Sequence, residues 1–290
     1  MQSKSLNAFA HAVFIIISIL SFVPLFIALM ISFSNEQDII NFGYKVIPIH
    51  FDFSAYKLAF AQPKAVLMAF GISIFQSVVS PALMIVLCGA FGYALSQQNF
   101  RYRKFCMYYI LITMLFSGGL IPSYIINTQY LHLGNTLAIY IVLGLVSGWN
   151  IILFRTFFSQ IPASLIEAAK IDGANELNIF IRIILPMSKP IVGSLYFTSL
   201  LGKWNDFSIS LYYVTKPELY SLQYFLQQVL NSSSFVKSIY ANSGVVSNDV
   251  IPVDTLKFAL AMISCFPVLL AFPYLQKYFS KGMAVGAVKE

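Results

Sequence analysis

The sequence predicts an all-α protein that crosses a membrane several times, and three observations support this prediction. Of the 290 residues, 58% are hydrophobic and only 10% are charged, whereas an average soluble domain carries about 25% charged residues. The mean hydropathy is +0.76, so the apolar surface exceeds what one core can hide from water. Uncharged runs long enough to cross about 30 Å of hydrocarbon recur along the chain. Lipid is therefore the expected solvent.

Six uncharged runs predict six transmembrane helices within a single transmembrane domain, 1–290. They cover roughly residues 10–33, 66–95, 105–126, 136–158, 190–212 and 257–277. The first run follows Lys4, which makes a signal peptide the alternative. However, no charge interrupts the run from Ala12 to Phe33, and no clear A-x-A cleavage site follows it. We therefore expect this run to be a retained first span.

The distribution of Lys and Arg predicts the orientation. An even number of spans puts both termini on the same side, and Lys and Arg near the ends of spans stay in the cytoplasm. The side that carries the termini has eleven of the 18 Lys and Arg, and the other side has six. The eleven are Lys4, Arg101, Arg103, Lys104, Arg155, Lys170, Arg182, Lys189, Lys277, Lys281 and Lys289. Both termini are therefore predicted to be cytoplasmic.

This orientation makes 159–189 a cytoplasmic loop and 213–256 an external loop. Both exceed about 15 residues, a length at which loops are usually functional or disordered. In the cytoplasmic loop, Pro162 suits a first helical turn and Gly173 suits the left-handed position after a helix. A second helix is expected to start near Asn175 and to stop before Pro186.

A motif within the cytoplasmic loop carries a family resemblance. The segment Glu167-Ala-Ala-Lys-Ile-Asp-Gly-Ala174, followed by Leu185-Pro186, resembles the EAA loop of ABC importer permeases, which docks on the ATPase subunits. The residues that the resemblance assigns to ATPase coupling are Glu167, Ala168, Ala169, Asp172, Gly173, Ala174, Leu185 and Pro186. The alternative is an ordinary amphipathic interfacial loop whose acids only cap helices.

The C-terminal tail narrows the resemblance. The segment 275–289 is similar to the C-terminus of maltose-type (MalG-like) carbohydrate-uptake permeases, whose tails reach between the two ATPases. Within a cytoplasmic tail at 279–290, the resemblance assigns contacts with the ATPases to Lys281, Gly282, Gly286 and Lys289. Glu290 stands where a glycine is usual, so the last contact is in question. The alternative is a basic tail attracted to anionic lipid.

The resemblance implies an ABC type I importer permease fold in a bacterial cell membrane. The implied cargo is an oligosaccharide, and the implied partners are a second homologous permease, two ATP-binding subunits and an extracytoplasmic solute-binding protein. The external loop 213–256 is implied to contact that binding protein, with a flexible linker as the alternative. No nucleic-acid partner is expected, because the net positive charge is explained by orientation in the membrane.

The chain is not expected to be an enzyme. It contains no G-x-x-x-x-G-K-[ST] motif, so ATP and Mg are expected on the partner subunits. No catalytic carboxylate pair or Ser-His-Asp set is convincingly spaced, and the His and Cys residues suggest neither a metal site nor another cofactor. The alternatives are an ion-coupled secondary transporter, a membrane-embedded enzyme or scaffold, and an ABC permease for a non-sugar solute.

A polar group interrupts the fifth predicted span. Lys203-Trp-Asn-Asp206 lies in an otherwise apolar run, and charges at such depth face protein or water. Trp204, Asn205 and Asp206 are therefore candidate residues of a translocation path, with Trp204 able to stack on a sugar ring. The alternative is a structural pair of Lys203 with Asp206, one helical turn apart, beside a Trp204 in the interfacial aromatic belt.

Overall fold

The computed structural model describes residues 4–60, 63–231 and 252–287. Within these residues the regular structure is helical, apart from an isolated bridge between Ser34 and Phe51. The helices are α1 (Lys4–Ser32), α2 (Glu36–Phe42), α3 (Ser54–Ala59), α4 (Pro63–Ser96), α5 (Arg103–Leu115), α6 (Leu120–Ile125), α7 (Ala138–Val142), α8 (Gly148–Phe158), α9 (Ala163–Ile171), α10 (Glu176–Ile179), α11 (Leu185–Met187), α12 (Lys189–Trp204), α13 (Ser208–Tyr213), α14 (Leu222–Asn231) and α15 (Val253–Ala287). Two π turns (Ile126–Tyr130 and Phe180–Ile184) and a 3₁₀ turn (Pro217–Leu219) complete the regular elements. The all-α prediction is confirmed.

Three of the described helical segments are long and apolar enough to cross a membrane: Phe9–Ser32, Pro63–Ser96 and Val253–Leu270. Three bent pairs of shorter helices raise this to as many as six spans if each pair is one span. The pairs are Arg103–Leu115 with Leu120–Tyr130, Gly148–Phe158 with Ala163–Ile171, and Glu176–Met187 with Lys189–Trp204, bent by 110°, 81° and 82°. The first, second and last predicted spans are thus long helices, whereas the middle three are interrupted.

Glycines explain the interruptions in the third and fourth predicted spans. Between α5 and α6, Gly119 adopts φ +84°, and between α7 and α8, Gly144 adopts φ +89°. An L-residue rarely adopts this left-handed backbone, and a helix cannot continue through it. The prediction of continuous helices over 105–126 and 136–158 was therefore wrong at these positions. The fifth predicted span, 190–212, is also divided, since α12 ends at Trp204 and α13 begins at Ser208.

The chain folds as two compact units, each built from separate stretches. The first comprises Met1–Leu67 and Phe225–Pro267. Its most unusual feature is Glu36, a carboxylate that is only 6% exposed. Glu36 accepts hydrogen bonds from the backbone N–H groups of Asp254 (2.8 Å) and Thr255 (2.9 Å) and from the Thr255 hydroxyl (2.7 Å). It therefore caps the N-terminus of α15, where a negative charge is stabilised by the helix dipole.

The second unit comprises Met68–Tyr224 and Val268–Glu290. Its largest core joins α4, α8 and the cytoplasmic-loop helices around Phe154, Phe158, Phe180 and Ile184. A Cβ atom at Gly92 would lie 2.5 Å from the Cβ of Phe154, so glycine is needed for this close approach. The core attaches the predicted coupling loop to a membrane-spanning helix.

Candidate functional site

The loop predicted to be cytoplasmic, 159–189, folds as a compact helix-turn-helix, and its turn is fixed by Gly173. Gly173 has φ +80°, its N–H donates to Lys170 O (3.1 Å), and the N–H of Ala174 donates to Ala169 O (2.9 Å). These two bonds form a Schellman motif, which satisfies the free carbonyls at the end of α9. Asn175 then caps α10 by accepting from the N–H of Asn178 (2.8 Å). Both features agree with the predictions for Gly173 and Asn175.

The second half of the loop differs from the prediction at Pro186. The helix was expected to stop before this proline, but the chain continues through the π turn Phe180–Ile184 into α11, which contains Pro186. A proline in a helix clashes with the carbonyl four residues earlier. The π turn widens the helix just before Pro186, and it provides the space that a regular α-helix lacks.

The loop separates its predicted coupling residues into an exposed face and a buried face. Five of the eight are exposed, namely Glu167, Ala168, Asp172, Gly173 and Pro186. Ala169 is buried, and Ala174 and Leu185 are half-buried against the core. The exposed face also carries a residue that the motif did not single out: Ile171 is 86% exposed beside Asp172.

Two side chains of the loop, Glu176 and Phe180, contact Tyr93 of α4. The Glu176 carboxylate accepts a hydrogen bond from the Tyr93 hydroxyl (2.7 Å) and pairs with the Lys170 ammonium (2.6 Å). Tyr93 also stacks on Phe180. The hydrogen bond from Lys170, and then that from Tyr93, lower the pKa of the Glu176 carboxyl, which lies in the loop outside the predicted spans. Glu176 therefore joins both loop helices to the end of a membrane-spanning helix.

The second candidate site is a cavity of about 480 Å³ in the second unit. Its polar lining includes Ser80 of α4, Ser199 and Lys203 of α12, Asp206 just before α13, and Ser208 and Tyr212 of α13. It lies where α12 ends and α7 is interrupted, because Gly144 and Leu143 also line it. Irregular backbone at membrane depth is tolerated only where it is buried in protein or lines a cavity.

The two charges in this cavity are bound to backbone rather than to each other. Lys203 donates from its ammonium to the carbonyls of Tyr140 (3.1 Å) and Leu143, so it satisfies the broken end of α7. Asp206 accepts from the N–H groups of Ser208 (2.8 Å) and Ile209 (3.3 Å), and so caps α13. Within the described chain, Lys203 and Asp206 form no ion pair with each other.

The structure distributes the three predicted path residues differently. Asp206 lines the cavity. Trp204 is only 5% exposed, and its indole lies 6.3 Å from the ring of Phe70. Asn205 is exposed, and its amide donates to Leu201 O of its own helix (3.0 Å). The sugar contacts of these residues stay predictions.

A row of polar residues on α4 was not predicted from the sequence. Ser73, Gln76, Ser77 and Ser80 are all buried, and their spacing of three, four and seven residues puts them on one face of the helix. This spacing is visible in the sequence, since polar residues in a transmembrane helix normally face protein or water. We call these four residues the polar stripe.

The C-terminal tail and the loop 213–256, which were also predicted to be functional, are only partly described. The backbone of α15 is helical at Lys281, Gly282 and Gly286, whereas Lys289 lies outside the described residues. The contact of the tail with the ATPases therefore stays a prediction. The external loop 213–256 is described in part, up to Asn231 and from residue 252. Among the described residues, no group of three or more His, Cys, Asp or Glu side chains is placed to hold a metal ion.

The apolar spans, the exposed loop and the polar cavity define the chain as an α-helical membrane permease subunit. It belongs to the family described as binding-protein-dependent transport system inner membrane component, whose profile matches residues 96–285.

Similar proteins support this assignment. The chain is 34% identical to Protein LplC of Bacillus subtilis, over 89% of this chain and 86% of the relative. It is 28% identical to the polygalacturonan/rhamnogalacturonan transport system permease protein YtcP of Bacillus subtilis, over 100% of both chains. A crystal structure of a bacterial ABC transporter that imports the acidic polysaccharide alginate matches with TM-score 0.81 at 26% identity, over 96% of this chain and 99% of that chain.

Proposed function

We propose that this chain is one permease subunit of an ATP-driven importer for an oligosaccharide, and that it forms the path with a second homologous permease. The cytoplasmic loop carries this proposal. Its Schellman turn at Gly173 holds Glu167, Ile171 and Asp172 on one exposed face. An apolar side chain flanked by two carboxylates suits a groove that is apolar at its centre and basic at its rim.

The loop has the connections needed to transmit motion from the ATPases. Its buried face is part of the core with α8 and α4, and Glu176 joins it to Tyr93 by a charged hydrogen bond. Movement of the exposed face therefore moves α4, which also carries Ser80 of the cavity. Two ATPases that close on ATP can shift the permease pair between its two openings, provided that their affinity differs between the states.

The chemistry of the cavity lining favours a cargo whose polar groups are uncharged. Its serine and tyrosine hydroxyls can donate to and accept from sugar hydroxyls. The charges of Lys203 and Asp206 are already used by backbone groups. Relatives include proteins named for arabinooligosaccharides and galactooligosaccharides, both of Bacillus subtilis. An oligosaccharide cargo is consistent with these names, with the name of the relative YtcP and with the polar lining of the cavity.

The proposed chain has no chemistry of its own. ATP and Mg are bound by the two ATP-binding subunits, and an extracytoplasmic binding protein delivers the sugar to the side that carries the loop 213–256. Both termini are cytoplasmic, so the tail residues Lys281, Gly282, Gly286 and Lys289 lie on the same side as the ATPases. The excess of Lys and Arg on the side that carries the termini supports this orientation.

Co-purification tests this proposal against a secondary transporter driven by an ion gradient. We expect the tagged chain, expressed with the products of its neighbouring genes, to bring a second permease and ATPase subunits in a detergent-stable complex. A secondary transporter would purify without ATPases and would need a buried carboxylate that changes protonation. Asp206, the acid in the cavity lining, instead caps α13. Isolation of an active transporter without ATPases would overturn the proposal.

A reporter fused at Glu290 tests the orientation independently. We expect a reporter that is active only in the cytoplasm to be active when it is fused at Glu290. Activity only of a reporter that requires the outside of the membrane would show that the topology is inverted.

A further inference from the structure

The polar stripe of α4 is in contact with the ends of two other helices. The Ser73 hydroxyl accepts a hydrogen bond from the N–H of Leu222 (2.8 Å), at the start of α14. The Gln76 amide donates to the carbonyl of Lys203 (2.8 Å), near the end of α12. One turn further along, Ser80 lines the cavity. The stripe therefore runs along the broken helix ends and enters the cavity.

Two atoms of the stripe have no hydrogen-bond partner within the described chain. They are the amide oxygen Oε1 of Gln76, which is 0% exposed, and the hydroxyl of Ser77, which is 2% exposed. A buried polar atom without a partner costs the full free energy of removing it from water. Such atoms are rare in native structures and require an explanation.

These two atoms differ in position from the other buried side-chain atoms that have no hydrogen-bond partner. Among the described residues, the remaining buried side-chain atoms without a partner are Arg155 Nε, Ser188 Oγ and Ser194 Oγ, each on a separate turn of chain. Gln76 and Ser77 are adjacent, and Gln76 contacts Lys203 of the cavity lining through its other amide atom. The charges of Lys203 and Asp206 are already bonded to backbone groups, whereas Gln76 Oε1 and Ser77 Oγ are buried on α4 within one turn of Ser80, which lines the cavity, and have no partner within the described chain.

The pair has the chemistry of a sugar-binding group. Gln76 Oε1 is an acceptor, and the Ser77 hydroxyl can donate and accept, so each atom can form a hydrogen bond with a sugar hydroxyl group. Neither group is charged, so it favours hydroxyls over carboxylates. We propose that Gln76 and Ser77 form a binding subsite for sugar hydroxyls, occluded in this conformation and opened onto the cavity when the permease pair changes state. This inference rests on the proposed function.

Cysteine accessibility tests the opening of the subsite. Ser77→Cys is made in a chain with Cys106 and Cys265 replaced by Ala, and the complete complex is assayed in membrane vesicles with a small cationic thiol reagent. We expect modification in one nucleotide state of the ATPases, and loss of modification when a transported sugar is present. The sugars used are galactooligosaccharides, arabinooligosaccharides and oligogalacturonides in turn. Val78→Cys, at an exposed position on the other side of α4, is the matched control and should show no protection by sugar.

Transport kinetics test the contact itself. Ser77→Ala removes one hydroxyl without breaking a described hydrogen bond, and we expect it to raise KM for uptake about two- to tenfold, the value of one net hydrogen bond, at normal complex yield. Ser18→Ala, at an exposed position of α1, should leave KM unchanged. A cysteine at 77 that is unmodified in every state, or modified without sugar protection, would overturn the subsite, as would an unchanged KM for Ser77→Ala. If the unsubstituted complex takes up none of these sugars, the proposed function fails instead.

Discussion

The predicted coupling loop (159–189) and the cavity region both consist of interrupted helices, but their turns are stabilised in opposite ways. The loop turn is fixed locally, since the Schellman bonds at Gly173 and the Asn175 cap join residues no more than five positions apart. The turns around the cavity are fixed by distant side chains. Lys203 caps the end of α7 more than 60 residues earlier, and Gln76 bonds to the carbonyl of Lys203.

This difference determines which residues tolerate substitution. A loop with local turns can expose its functional face to solvent, so changes there alter docking while the chain stays folded. In the cavity, Lys203 and Asp206 also satisfy backbone groups at membrane depth, so the removal of either side chain leaves unpaired groups in a medium without water.

The largest effect is expected for Lys203→Met. This substitution removes the donor to the Tyr140 and Leu143 carbonyls, and each unpaired carbonyl costs about 1–3 kcal/mol. We expect a large fall in complex yield and in the thermal unfolding temperature. Lys45→Met, at an exposed position of the first unit, is the control. Normal yield of Lys203→Met would show that the cavity is not held by this cap.

Gly173→Val is expected to act on coupling. A β-branched residue at φ +80° costs about 1–2 kcal/mol, so the turn that presents Glu167 and Asp172 is displaced. The two permeases should still assemble, but ATPase recruitment and sugar-stimulated ATP hydrolysis should be lost. Gly71→Val, on an exposed helical position with open space around it, controls for loss of a glycine. Intact stimulated hydrolysis in Gly173→Val would contradict the docking assignment.

Ile171→Ser is expected to weaken docking without affecting folding. Burial of an isoleucine side chain contributes about 1.5–3 kcal/mol, so its loss should lower the affinity for the ATPase about ten- to hundredfold. The binding of purified ATPase to permease in nanodiscs measures this. Ile40→Ser, an equally apolar exposed site outside the loop, should bind normally. If the ATPase bound both variants with equal affinity, its docking surface would have to lie outside the loop.

The smallest effect is expected for Glu176→Gln. The Lys170 pair is largely exposed, and exposed pairs contribute about 0–1 kcal/mol. Because the folded-state pKa of Glu176 is lowered, its stabilisation is present above the ordinary carboxyl pKa and is lost as the pH falls through the lowered value. Hydrogen exchange of the loop should therefore become less pH-dependent in Glu176→Gln than in Glu218→Gln. Identical acid profiles would exclude an anchoring role.

Local signals made the loop predictable from sequence. Gly173 and Asn175 determine their turns through their own backbone and side-chain chemistry, so their roles could be inferred without knowing the fold. The passage of the helix through Pro186 could not, because the π turn before it depends on packing of Phe180 and Ile184 in the core. The exposure of Ile171 also depends on which face the core covers.

The cavity was only partly predictable for the same physical reason. The charges at Lys203 and Asp206 marked the region, but periodicity treated Gly144 as part of a continuous span. The partners of Lys203 are two carbonyls of another helix, and backbone carbonyls have no residue-specific signature. In contrast, the spacing of Ser73, Gln76, Ser77 and Ser80 was available in the sequence, and it marks the buried face of α4 that reaches the cavity at Ser80.

ATP-driven uptake by the purified complex tests the central claim most directly. The chain, its second permease and the ATPases are reconstituted in proteoliposomes with the binding protein, and uptake of a labelled oligosaccharide is measured with the Gly173→Val complex in parallel. We expect uptake that requires ATP, is insensitive to dissipation of ion gradients and is lost in Gly173→Val. Uptake that persists without ATP and follows an ion gradient would contradict the account.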